Sequence, residues 1–225
     1  MATQTVPQLL EHSKSAAVIP IPAKKARGGR SSRGHMAFLT PEEILAVLKA
    51  GRSRSSRDWA MILLAYRHGM RASEVCGLRR GDLNLKGESI TVRRLKGSLE
   101  TCQALCGHAG QPLLDELKAL RQWTKDRPGD GSDYVFISQK GGRMHRSQFF
   151  RIFQDCAESA GLPPAKRHPH ALKHSLATHL IGENVNLAVV KQALGHKSIG
   201  STMVYVTVSD RQAGDASRAA LMGLY

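Results

Sequence analysis

Cysteine is sparse. Four occur among 225 residues, at irregular spacing, which argues against a disulfide scaffold and for a reducing cytosol. Long apolar runs are missing as well. The longest, Trp59–Tyr66, is far too short to cross a bilayer, so an integral membrane protein is excluded. The opening MATQTVPQLLEHSKSAAVIPIP does not read as a secretory signal: its apolar part is short, broken by proline, and followed by the basic cluster instead of preceded by it. Acids are outnumbered, 18 Asp+Glu against 33 Lys+Arg. Three familiar motifs are also absent: GxxxxGK[ST], GxGxxG after a strand, and HExxH.

What is present is a globular composition, 41% hydrophobic and 23% charged. A chain of this length buries roughly 70% of its unfolded surface, enough for a core without staples. The net charge of +15 is spread along the chain. It points to a polyanion, with nucleic acid first. The plainer readings are a soluble basic protein or one lying on an anionic membrane surface.

Residues 1–36 carry Pro, Gly, Ser and the cluster KKARGGRSSRG, and read as a flexible basic arm without a core. The arm either tracks a DNA groove or merely aids solubility. Order is expected from 37 to 225. Thr40-Pro41-Glu42-Glu43 starts a helix: hydroxyl N-cap, proline in the first turn, acids at the positive end of the dipole. GRSRSS is expected to break it, and a second helix follows from about Ser56 to His68-Gly69-Met70. Arg71–Arg79 begins a short third one. Then the period changes. LNL, SITVRRL and LETCQAL read as three antiparallel strands. Helical spacing returns at Pro112–Lys125, and again at 147–160, 170–181, 186–194, 198–206 and 211–222. Gly161, Gly182 and Gly195 sit where helices stop. The expected fold is mainly α with a small three-stranded antiparallel β-sheet.

Few side chains stand out one at a time. Cys102, Cys106 and His108 could suggest zinc, but Cys102 falls on a strand and a fourth ligand is missing nearby, so apolar packing is the better reading. Arg71 follows Gly69-Met70 at a helix mouth, with Glu74 placed to brace it at i,i+3. HPHALKH puts His170, Lys173 and His174 at another helix start. LGHKSI puts His196 after a Gly break. Tyr205 follows on a helix whose other face is Ile199, Met203 and Val206.

Taken together, Arg71 in RASE, Lys96 in the hairpin after the second strand, HPHALKH, LGHKSI and Tyr205 make the chain resemble the catalytic domain of the tyrosine recombinase (phage integrase) family. The likeness covers about residues 38–208, in the family's order. ITVRRLKGSLETCQAL, and the lack of a preceding core-binding domain, look most like the small fimbrial-switch recombinases.

The resemblance implies a tyrosine recombinase catalytic-domain fold and a site-specific recombinase. In such an enzyme Tyr205 attacks a DNA phosphodiester, leaving a 3′-phosphotyrosyl bond and a free 5′-hydroxyl. Arg71 forks onto the non-bridging oxygens, His170 and His196 add donors or relay protons, Lys96 protonates the departing oxygen, and Glu74 holds Arg71. It further implies no cofactor and no metal, double-stranded DNA as partner, a homotetramer on synapsed DNA built from weakly associating monomers, and a cytoplasmic, nucleoid-associated location. One position departs. The family's HxxR reads His170-Ala171-Leu172-Lys173, so Lys173 keeps the charge but not the planar fork. Losing one charge-assisted hydrogen bond costs about 1.5–3 kcal/mol, roughly ten- to hundredfold in rate. Slow cleavage is therefore expected. The alternative is a weakened, DNA-binding accessory protein. A tail helix at Gln212–Leu224 packs either on a neighbouring subunit or on its own domain.

Overall fold

The computed structural model describes residues 37–95, 99–129, 131–206, 217, 218, 221 and 222. The arm at 1–36, Lys96 and most of the tail stretch 212–224 lie outside the described residues. In chain order the elements are α1 (Pro41–Arg54), α2 (Ser56–Arg67), α3 (Ala72–Val75), β1 (Leu83–Asn84), β2 (Ser89–Val92), β3 (Thr101–Ala104), α4 (Glu116–Asp126), α5 (Arg146–Ser159), α6 (His170–Gly182), α7 (Leu187–Leu194) and α8 (Gly200–Met203). The fold is mostly helical with one three-stranded antiparallel sheet in the order β1-β2-β3.

The first helix starts as its sequence dictates. Thr40 Oγ1 accepts from Glu43 N while Glu43 Oε2 accepts from Thr40 N, two orphan donors satisfied reciprocally. GRSR does not break it. α1 runs to Arg54, because the chain turns only where Ser55 becomes the N-cap of α2 and accepts from Asp58 N. α2 is the central helix, buried at every position from Asp58 to Ala65 and flanked by α1, α4, α5 and α6. That full burial, not a one-sided stripe, explains its unbroken apolar run. Pro112 does not open α4. Residues Pro112–Leu114 form a 3₁₀ turn, and Asp115 caps the helix by accepting from Lys118 N. Gly161 and Gly195 stop their helices at positive φ, but Gly182 remains in α6 and Asn184 takes the left-handed conformation instead.

Most buried side chains form one core. A smaller cluster of Leu176, Ala177, Val190 and Leu194 lies between α6 and α7, with Tyr205 packed against it. Tyr66 touches both clusters, and its hydroxyl lies 2.9 Å from His179 Nδ1. Helix α6 is thereby fixed to α2, the helix that leads into the site.

Candidate active site

The site is built where α2, the sheet and α7 end. After α2 the chain makes a tight turn at His68–Met70, with Gly69 at φ +55. A β-carbon there would lie 2.8 Å from Leu194, so the turn and α7 approach too closely for any larger residue. Arg71 follows as the N-cap of α3. Its Nη1 donates to Glu74 Oε1 and its backbone N to Glu74 Oε2, both at 2.8 Å. Glu74 is thus the expected brace, and more. Its buried carboxylate also accepts from Leu95 N at 3.1 Å and faces Arg94 Nη1 at 3.3 Å. Burial pushes this carboxyl up. The hydrogen bonds from Arg71 and Leu95 and the charge of Arg94 outweigh that and hold it below the usual range.

Arg94 is absent from the sequence-derived set. Its side chain is fully buried. Besides Glu74 it donates to the carbonyls of Gly69 (2.9 Å), His68 (2.7 Å) and Ala193 (2.8 Å). One side chain therefore ties the Arg71 turn, the β2–β3 hairpin and the end of α7 together. The alternation Ile90, Val92, Arg94 was the available signal, since residues two apart share a strand face and the first two are buried. His68 is a second omission. It is buried with Nδ1 2.8 Å from Gln103 Oε1, and its Nε2 is 2.6 Å from Glu116 Oε1, a close approach without hydrogen-bond alignment.

Lys173 joins Arg94 at the end of α7. It is buried, and its Nζ donates to the Leu194 carbonyl at 2.9 Å. Two cations thus satisfy successive carbonyls at the negative end of that helix. Burial, followed by the charges of Arg94 and Arg71, pulls the Lys173 ammonium down to about 7. Gly195, at φ +65, then turns the chain, and Leu99 N donates to its carbonyl at 3.3 Å. Leu99, shortly before β3, is thereby attached to the turn before His196. His196 Nδ1 lies 3.0 Å from Thr202 Oγ1. Burial, then Lys173, Arg71 and Arg94, lowers its imidazole to about 4. The ring is neutral at physiological pH.

His170 is the first residue of α6 and is exposed. Tyr205 departs most from expectation. α8 is a single turn ending at Met203, so Tyr205 sits just beyond it. Ile199 and Met203 are exposed rather than packed as a helix face. The Tyr205 hydroxyl lies 2.7 Å from His174 Nδ1, a partner outside the expected set. Burial raises the phenol above its usual value. The structure therefore gathers Arg71, Glu74, Lys173 and His196 around Arg94 and the end of α7, and holds the tyrosine on the next turn through His174.

Residues 37–212 match the phage integrase family model. The type 1 fimbriae regulatory protein FimE of Escherichia coli (strain K12) is 36% identical over 174 residues, 75% of this chain and 84% of FimE. Tyrosine recombinase XerD of Mycobacterium tuberculosis (strain CDC 1551 / Oshkosh) is 33% identical over 197 residues, 83% of this chain and 61% of XerD. The crystal structure of XerA recombinase superposes with a TM-score of 0.68 at 26% identity, covering 83% of this chain and 66% of that one. The chain belongs to the phage integrase family and is a site-specific tyrosine recombinase. Among the described residues no helix is long and apolar enough to cross a membrane.

Proposed function

We propose that the chain cuts and rejoins double-stranded DNA through a 3′-phosphotyrosyl bond at Tyr205, with Arg71, Lys96, His170, Lys173 and His196 serving the reaction and Glu74 supporting it. The observation that carries this reading is the mounting of Arg71. Its side chain is 24% exposed, while the Glu74 carboxylate that holds it is fully buried. A guanidinium held by a buried carboxylate and still part-exposed to solvent is a preorganised donor for a phosphoryl oxygen.

The other roles follow from chemistry. Attack by Tyr205 makes a five-coordinate phosphorus with extra charge on its non-bridging oxygens. Lys173 has three donors and spends one on Leu194, which leaves two to serve as a compact cation. When Thr202 donates its hydroxyl to Nδ1, neutral His196 presents Nε2–H as a donor. His170 supplies another donor from the exposed start of α6. Lys96 protonates the 5′-oxygen as the P–O bond breaks. Fixed cations do here what a metal does elsewhere, so the reading needs neither metal nor nucleotide cofactor. The catalytic domain spans 37–225, and the basic arm 1–36 adds phosphate contacts. Because strand exchange joins two duplexes, the working form is a homotetramer on synapsed DNA, assembled from weakly associating chains on the nucleoid. Relatives named as recombinases favour turnover over a binding-only accessory role.

The test is a nicked duplex bearing a site recovered by selecting random duplexes on the protein. A protein–DNA adduct that survives denaturant is expected with the native chain and absent with Tyr205→Phe. An adduct that persists in Tyr205→Phe overturns the assignment of the nucleophile.

A further inference from the structure

The geometry points to His174 as the residue that accepts the phenol proton of Tyr205 during attack. This rests on the reading of Tyr205 as nucleophile and adds a group that the family-derived set lacks. The contact is direct, 2.7 Å from Oη to Nδ1, with ring centroids 5.7 Å apart at 47°. It links residues 31 positions apart, so it is a product of the fold and not of local sequence. His174 follows Lys173 on α6, the residue that grips α7, so its backbone is held by the same anchor.

With its proton on Nε2, His174 offers the Nδ1 lone pair to the phenol. As Oη bonds to phosphorus, the O–H proton passes to Nδ1. The P–O5′ bond breaks, and the departing oxygen takes a proton from the acid on the hairpin. On rejoining, the imidazolium returns its proton to the phenolate oxygen as the P–O(Tyr) bond opens. The phenol needs such a partner because burial keeps its proton on. Burial, then the neighbouring His170, His168 and Lys173, makes His174 a weaker base in the free protein, and His196 and Tyr205 are its neighbours from the α7–α8 side. A phosphate among those cations offsets their charge, so the imidazole gains basicity only when substrate is bound.

The experiment is single-turnover adduct formation on the selected nicked duplex, followed from pH 5.5 to 9. His174→Gln keeps an acceptor for the hydroxyl but cannot take its proton. We expect it to bind DNA normally, form adduct at least about a hundredfold more slowly, and lose the acidic limb of the pH profile. Added imidazole should restore His174→Ala in proportion to its neutral form. A substrate with sulfur at the 5′-bridging position needs no leaving-group acid. It should rescue Lys96→Ala and leave His174→Gln slow. Adduct formation within threefold of native with an unchanged pH profile, or rescue of His174→Gln by the sulfur substrate, overturns the proposal. Failure of the nucleophile reading is distinct, since it appears only as an adduct in Tyr205→Phe.

Discussion

Lys173 and Leu194 are joined by a hydrogen bond from a buried ammonium to a helix-terminal carbonyl, 2.9 Å long. The residue that departs from the family pattern is therefore part of the scaffold of its own site. An arginine there has donors enough for both the carbonyl and a phosphate in a fixed plane, whereas lysine divides three donors around one point.

Two outcomes follow for Lys173. Its ammonium, pulled down to about 7, is neutral in a growing fraction of free chains as pH rises from 6 to 8. The second-order rate of adduct formation should fall over that range, and Lys173→Arg should remove the fall and raise the rate roughly ten- to hundredfold. Rates that match in both chains would contradict this. Stability gives the second outcome. The unfolded lysine titrates near 10.5 and the folded one near 7, so between those values the unfolded state binds more protons and stability rises with pH. Relative to native, Lys173→Met should lose ground in urea unfolding as pH goes from 7 to 10.

Arg94 should be the most costly cation to remove. Arg94→Met leaves the Glu74 charge buried with one partner fewer and strips donors from the carbonyls of His68, Gly69 and Ala193. Breaking a buried pair in this way costs about 3–5 kcal/mol. Urea unfolding should report a loss of that order, while removal of exposed Arg79, paired with Asp133 at the surface, should cost at most about 1 kcal/mol.

Gly195→Ala tests the junction sterically. Its φ of +65 disfavours any side chain, and the new β-carbon would lie 2.8 Å from Arg94 Nε and 3.0 Å from Leu99 O. Strain of this kind costs about 1–3 kcal/mol. Because Arg94 and Leu99 must both shift, adduct formation should fall further than DNA binding does.

The sequence made much of this legible, for identifiable reasons. Thr40 and Glu43 stand at the spacing of a capping box, and LNL, SITV and TCQA alternate as strands do, so the first helix and the sheet could be placed. Arg71 and Glu74 are neighbours along the chain, so their pairing could be read as well. Local signals failed where tertiary contacts decide. Pro112 looked like a helix start, but Asp115 holds the cap. Arg94 stands beside Arg93 in SITVRRL, and only the strand alternation separates the buried arginine from the exposed one. The pairing of Tyr205 with His174 depends on how α6 and the α8 turn pack, and no spacing rule reports that.

The central claim concerns one oxygen, and mass spectrometry of the trapped adduct tests it most directly. After nuclease and trypsin digestion, the peptide from Ser198 to Arg211 should carry the nucleotide remnant, with fragmentation placing the 3′-phosphate on Tyr205. A remnant on any other side chain would contradict the account.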